Sequence, residues 1–395
     1  MRSRAAPLLS PRVQTALAWA LISFGIWLFI SSGMLSLGRY SPPGTDFKVF
    51  HAAGLMWWRG GNPFLDHRLV YAYPPQAAPL FMAFALLPYA TARWLNIALN
   101  SAALAALFAV YVRWFTEDRS LARMPLLRVC AATAILISPM TDLSIDLGQI
   151  AILVTGLIGV GWYLLYEKKR DVLAGIFLGI ASIKPQLALL FLVWLVIDRK
   201  WRALAAAAST ALVLLLPSFL ILGGPLQTLT AWRAGMQIYL AAPANQPGSP
   251  FMLSLISILW RLNWPLWIST VLFALGFAIV FLARARLPPK TLLILLPLLE
   301  VTLLFGHDAD YVGLNLAWMW LLGTFAKSSR ARATIAFALF GLYLLPYGVL
   351  QFRHRSYLFI PFGLCVMLGA IYVFDLCFPP REPAREQPLG ASALA

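Results

Sequence analysis

Charge is scarce in this sequence of 395 residues. Only 12% of it is Asp, Glu, Lys or Arg, about half the roughly 25% of an ordinary soluble domain. With 61% hydrophobic residues, too little polar surface remains to cover a particle in water, so water is excluded as its main solvent. Cysteine is nearly absent. Cys130, Cys365 and Cys377 are odd in number and show neither disulfide nor metal-site spacing, which leaves buried thiols. Acids number 15 and histidines four, so each one found among apolar residues needs a reason. No Gly-rich P-loop or dinucleotide motif occurs, which argues against a soluble nucleotide ligand. Collagen, coiled-coil and disordered classes are also excluded.

Long apolar runs are plentiful. They fall near 14–35, 92–114, 128–144, 149–166, 203–221, 264–283, 290–306, 311–326, 331–350 and 356–376. Fifteen Trp, 25 Phe and 13 Tyr suit a bilayer protein with aromatic residues at its interfaces. The first run is too long for a cleavable signal and reads as the first membrane helix. Ten crossings place both termini in the cytoplasm, in an all-α polytopic membrane protein. The net charge of +16 first suggests nucleic acid. About two-thirds of the basic residues, however, sit in short clusters between apolar runs, including Lys168/Lys169/Arg170, Arg199/Lys200/Arg202 and Arg284/Arg286/Lys290. Placed on one face, these clusters obey the positive-inside rule and meet membrane lipids as partners. No basic, aromatic-interleaved groove for nucleic acid is visible. One transmembrane domain then covers 1–378, with outer loops at about 36–73, 222–263 and 306–311. The tail 379–395 reads as disordered.

Two segments do not fit as crossings. Prolines open and close 71–90, leaving too little helix to cross, so a short re-entrant or interfacial element is expected. The segment 171–197 has basic clusters at both ends and Lys184-Pro185 at its middle. Two half-helices meeting at Lys184, with both ends on one side, are expected; a single long tilted helix is the alternative.

Asp46 opens DFKVFHAAGLMWW, where Thr45 or Asp46 can cap a helix over 47–58 that Gly60-Gly61 ends. Its aromatics recur at helical spacing, so this helix is expected to lie flat on the outer face. Asp66 and His67 read as ordinary surface. His307, Asp308 and Asp310 crowd a short stretch between apolar runs, and ionisable groups there are functional candidates. Lys184 at a helix break needs an anion or a cavity. Asp142 and Asp146 are expected to flank an outer turn before Gly148-Gln149. Arg233, Arg261, Arg353 and Arg355 go against the positive-inside trend and could together meet phosphate.

Several of these elements recur in a known order: Asp46-Phe47, His51-Ala52-Ala53-Gly54, Gly60-Gly61-Asn62-Pro63-Phe64, Tyr71-Ala72-Tyr73-Pro74-Pro75, Leu86-Leu87-Pro88, Trp94 and Asn96, Gly148-Gln149, Ile183-Lys184-Pro185-Gln186, Ser254-Leu255 with Arg261, and His307-Asp308-Ala309-Asp310. In these the sequence resembles the polyprenol-phosphate-dependent hexosyltransferases of glycosyltransferase family 87. The resemblance implies a GT-C-like helical bundle with a catalytic outer loop after its first helix. It implies transfer of a hexose, mannose favoured, from a polyprenyl-phosphate sugar donor to a lipid or glycan acceptor hydroxyl. The reaction would occur on the outer face of the plasma membrane. Asp46 is then the expected general base. His307, Asp308 and Asp310 would orient the acceptor or act as a second acid/base group. Lys184, with Arg233 and Arg261, would meet the departing phosphate, and Tyr73, Asn62 and Gln149 would bind substrate. No cofactor and no metal are expected. A secondary transporter or lipid flippase with discontinuous helices is the alternative, although no inverted repeat is found. A non-catalytic membrane scaffold is a third reading.

Overall fold

The computed structural model describes residues 44–115 and 138–315, apart from 250 and 305, together with scattered positions between 16 and 34. The three cysteines, Arg353, Arg355, the tail and the runs at 331–350 and 356–376 lie outside the described residues. So do the basic clusters near the two termini and at 327–332. Within the described residues the fold is all-helical, and a single antiparallel bridge between Met252 and His307 is its one β feature. The protein is an all-α polytopic membrane protein.

Helix α1, Thr45–Trp58, begins after Gly44, whose φ of +72° lies in the left-handed region that glycine adopts without strain. A Cβ at Gly44 would fall 2.6 Å from the Tyr89 hydroxyl oxygen. The Gly44 N–H donates to the Asp146 carbonyl at 2.7 Å, and the Tyr89 hydroxyl donates to the Gly44 carbonyl at 3.1 Å. Neither Thr45 nor Asp46 caps this helix. Both lie inside its first turn, and no side chain caps its start. Asp46 still suits the positive end of the helix dipole. The aromatic stripe does not face a membrane surface as expected. Phe47, Phe50 and Trp57 are buried in protein, and only Trp58 is strongly exposed. Phe50 stacks on Phe81 at 4.8 Å and Phe47 meets Phe84 edge-on at 5.2 Å, both on helix α2, Ala78–Ala85. Each such burial contributes about 1.5–3 kcal/mol relative to exposure to water. Helix α2 has 8 residues, too short to cross, and Pro88 separates it from α3, Tyr89–Phe115.

Helix α3 and, further on, α8 (Trp201–Leu222) are long and apolar enough to span a membrane. Between them, α4 (Pro139–Leu147) and α5 (Ala151–Tyr166) form a pair bent by 120° at Gly148–Ile150. Asp142 and Asp146 therefore belong to a helix, not to a turn. The 171–197 segment is broken as expected, into α6 (Asp171–Ala181) and α7 (Pro185–Ile197). Its direction follows from packing. Gly175 lies against Ala203 and Gly179 against Ala207, so α6 and α8 run parallel, both starting from the same end. At the other end of the segment, Tyr166 is hydrogen-bonded to Asp198. The start of α6 and the end of α7 are thus neighbours, and the pair forms a hairpin with Lys184 at its tip. The expected outer loop at 222–263 is largely helical: α9, Pro225–Ala241, and α10, Leu255–Arg261. Helices α11 (Trp267–Leu282) and α12 (Pro289–Leu303) follow, and 306–311 enters a 3-10 helix, Asp308–Leu314.

Candidate functional site

Three interruptions of the fold meet in one place. They are the left-handed start of α1, the bend between α4 and α5, and the tip of the α6–α7 hairpin. Together with α9 and the Asp308–Leu314 helix they enclose a cavity of about 430 Å³. Asp46, Tyr73, Gln149, Lys184, Tyr239, His307 and Asp310 line it.

These side chains are joined. Gln149 Nε2 donates to Asp46 Oδ2 at 2.5 Å. Gln149 Oε1 accepts from the Tyr73 hydroxyl at 2.8 Å and from Lys184 Nζ at 3.2 Å. Lys184 Nζ also pairs with Asp310 Oδ1 at 2.6 Å. The other Asp310 oxygen accepts the His307 backbone N–H at 3.3 Å. The Tyr239 hydroxyl lies 2.9 Å from His307 Nε2. Since Gln149 Oε1 receives two donors, the orientation of the carboxamide is determined, and its NH₂ faces Asp46. Gln149 thereby keeps the Lys184 ammonium and the Asp46 carboxylate apart.

Lys184 and Asp310 are 3% and 1% exposed. Two charges at such depth are tolerable only as a closely matched, hydrogen-bonded pair. Burial pushes the Asp46 carboxyl above the usual carboxylate range, against the lowering effects of the Gln149 hydrogen bond and the Lys184 charge. Burial is also the main cause that holds His307 below its ordinary value. Tyr73 and Tyr239 are pushed upward, chiefly by burial, and remain protonated donors. The cavity therefore offers a carboxylate of raised basicity, one buried cation, a neutral imidazole and two phenolic donors.

The backbone that carries Gln149 is itself anchored. Asn96 and Asn100, both fully buried on one face of α3, donate to the Gly148 and Gln149 carbonyls at 3.0 Å each. Asn100 Oδ1 accepts from Leu153 N–H at 3.0 Å, which closes the first turn of α5. Gly148 has φ of +73°, and a Cβ there would fall 2.5 Å from the Phe47 Cβ. Gly148→Ala should therefore destabilise the protein by about 2 kcal/mol or more, through left-handed strain plus the clash. A fall in the melting temperature of the detergent-purified protein would register it; an unchanged value would mean that the turn does not hold α1.

Not every expected site residue comes here. Asn62 caps the short 3-10 helix Pro63–Leu65, its Oδ1 accepting the Phe64 N–H at 3.1 Å, and does not line the cavity. Arg233 is exposed on α9, and Arg261, at the end of α10, does not line the cavity either. The backbone of Asp308 starts the 3-10 helix. Sequence reasoning missed Tyr239, Asn100 and the anchoring role of Asn96. The two asparagines lie four residues apart within an apolar run, which was the available signal for a shared buried face.

A family model described as Glycosyltransferase family 87 matches residues 71–307. Tyr73, Gln149, Lys184, Tyr239 and His307 lie within that span; Asp310 lies just past its end, and Asp46 lies well before its start. Two curated proteins named alpha-(1->3)-arabinofuranosyltransferase, from Mycobacterium tuberculosis strains CDC 1551 / Oshkosh and ATCC 25618 / H37Rv, are each 29% identical over 191 residues. That match covers 47% of this chain and 43% of each relative, so the chain aligns with less than half the length of either. No solved structure matches significantly.

Proposed function

The chain belongs to glycosyltransferase family 87, and on that premise we propose that its cavity transfers a glycosyl unit from a polyprenyl-phosphate donor to an acceptor hydroxyl. The acceptor is a lipid or glycan, and the reaction takes place on the outer face of the plasma membrane, in a GT-C-like bundle. One observation carries the reading. A carboxylate of raised basicity and a buried lysine share one cavity, and a carboxamide holds them apart.

In the proposed reaction the acceptor oxygen forms a bond to the anomeric carbon as the bond from that carbon to the phosphate oxygen breaks. The polyprenyl phosphate leaves with the electron pair, and the acceptor proton passes to Asp46. The transition state has oxocarbenium character. Lys184 meets the charge that grows on the phosphate. Tyr239 and His307, which also line the cavity, orient hydroxyls of the acceptor. A hexose, mannose favoured, is what the family resemblance implies. The name of the matched relatives sets an arabinofuranosyl unit beside it. The transporter alternative has no family match behind it.

Reconstituted protein offered a panel of polyprenyl-phosphate sugars tests the reading. Turnover of at least one donor, with release of polyprenyl phosphate, is expected; hydrolysis and transfer absent across the whole panel would reject it. The pH profile is a further test. The base works only when ionised, so the rate should fall as pH drops through the raised Asp46 value. The acid limb should lie above the ordinary carboxylate value of about 3.9. It should persist in His307→Gln, which removes the imidazole from the cavity. A profile flat down to about pH 4 would remove Asp46 from the role.

A further inference from the structure

The ends of the helices remote from the cavity form a feature that the transferase reading does not use. Helix α5 leads away from the Gln149 bend and α7 leads away from Lys184, each for roughly 20–25 Å at 1.5 Å per residue. Three turns, 167–170, 198–200 and 283–288, meet where they end. The Tyr166–Asp198 hydrogen bond joins the first two. Trp162 Nε1 donates to the Pro289 carbonyl at 2.8 Å and brings in the third. The Lys168 ammonium lies 5.5 Å over the Tyr163 ring, and that of Lys200 lies 5.4 Å over the Tyr166 ring.

Among the described residues, the charge gathered here is not neutralised by ion pairs. Lys168, Lys169, Arg170, Arg199, Arg202, Arg284 and Arg286 are exposed. Among the described residues, none of Lys168, Lys169, Arg170, Arg199, Lys200 and Arg202 forms an ion pair, although Glu167, Asp171 and Asp198 lie between them in sequence. Asp198 is engaged by Tyr166 instead. The backbone adds a second observation. Lys169 and Arg199 have φ of +54° and +53°, the left-handed region in which a helix-ending turn ordinarily carries glycine. Each of the two hairpin turns places a cation where glycine would be less strained. Trp201, 56% exposed beside them, is the kind of side chain that sits at headgroup level.

We infer that this end of the bundle is a headgroup-binding site for anionic phospholipid, built from the 167–170, 198–202 and 284–286 cations. It stands independently of the role given to Asp46. Each basic residue near an anionic surface contributes about 1 kcal/mol, close to five-fold in affinity.

The test titrates the full chain in detergent with NBD-labelled phosphatidylglycerol and, separately, NBD-labelled phosphatidylcholine, following energy transfer from tryptophan. Phosphatidylglycerol should bind more tightly, and added salt should weaken it. The double variant Lys169→Gly/Arg199→Gly removes two charges while giving both turns the residue they favour. It should keep or raise the melting temperature and lose about 25-fold in phosphatidylglycerol affinity. Should the glycine pair lower the melting temperature, Arg170→Gln/Arg202→Gln must show the same loss. Equal affinity for the two lipids, or undiminished preference in a folded double variant, would overturn the proposal. So would displacement by inorganic phosphate at the concentration of the lipid, which would make this a site for free phosphate.

Discussion

Asp46→Asn should lower turnover by about 10²–10⁴-fold, the usual cost of removing a general base, while leaving the fold intact. Asn keeps an oxygen that can accept the Gln149 Nε2 hydrogen bond, and Asp46 caps nothing, since Gly44 starts the helix without a side-chain cap. Donor affinity should change little, because in the proposed reaction Lys184 and not Asp46 meets the phosphate. Turnover, donor binding and monodispersity in detergent together form the measurement. Near-normal turnover in Asp46→Asn would move the base elsewhere, and Asp310 would be the first carboxylate to examine.

Lys184→Met should be damaging in two separable ways. It strands the Asp310 carboxylate, 1% exposed, without its cation. Breaking a buried pair from one side typically costs about 3–5 kcal/mol. It also removes the charge proposed to meet the leaving phosphate. Adding Asp310→Asn discharges the stranded acid, so the double variant should recover much of the lost thermal stability. Activity should not return with it. Recovery of both would make the pair a structural device alone, and Lys184 would lose its place in the chemistry.

The charged groups of this site were legible in the sequence because each violates its surroundings, while Tyr73 and Gln149 came from the family resemblance. Lys184 precedes a proline inside an apolar stretch, and the structure puts it at the tip of a helical hairpin. Asp46, Tyr73, Gln149, His307 and Asp310 were all singled out, and the cavity gathers them. The pairings could not be read, because Gln149 and Asp46 lie 103 residues apart and nothing local joins them. Asn62 misled for a physical reason. Its position before a proline suits both a binding loop and a 3-10 cap, and the short helix uses it as a cap. The stripe of Phe47, Phe50 and Trp57 gave the right helix but the wrong neighbour. Periodicity reports an apolar face without saying whether lipid or protein covers it. The segment 222–263 read as a loop because its polar residues mask α9, whose Tyr239 completes the cavity wall.

The central claim is that the donor's phosphate departs from inside this cavity. A structure of the protein with a bound polyprenyl-phosphate sugar measures it directly, through the distance from Lys184 Nζ to the nearest phosphate oxygen. The account predicts a separation within hydrogen-bond reach, about 2.7–3.2 Å, with the anomeric carbon turned toward Asp46. A phosphate seated on Arg233 or Arg261, with Lys184 still closed on Asp310 and the cavity empty of sugar, would contradict it.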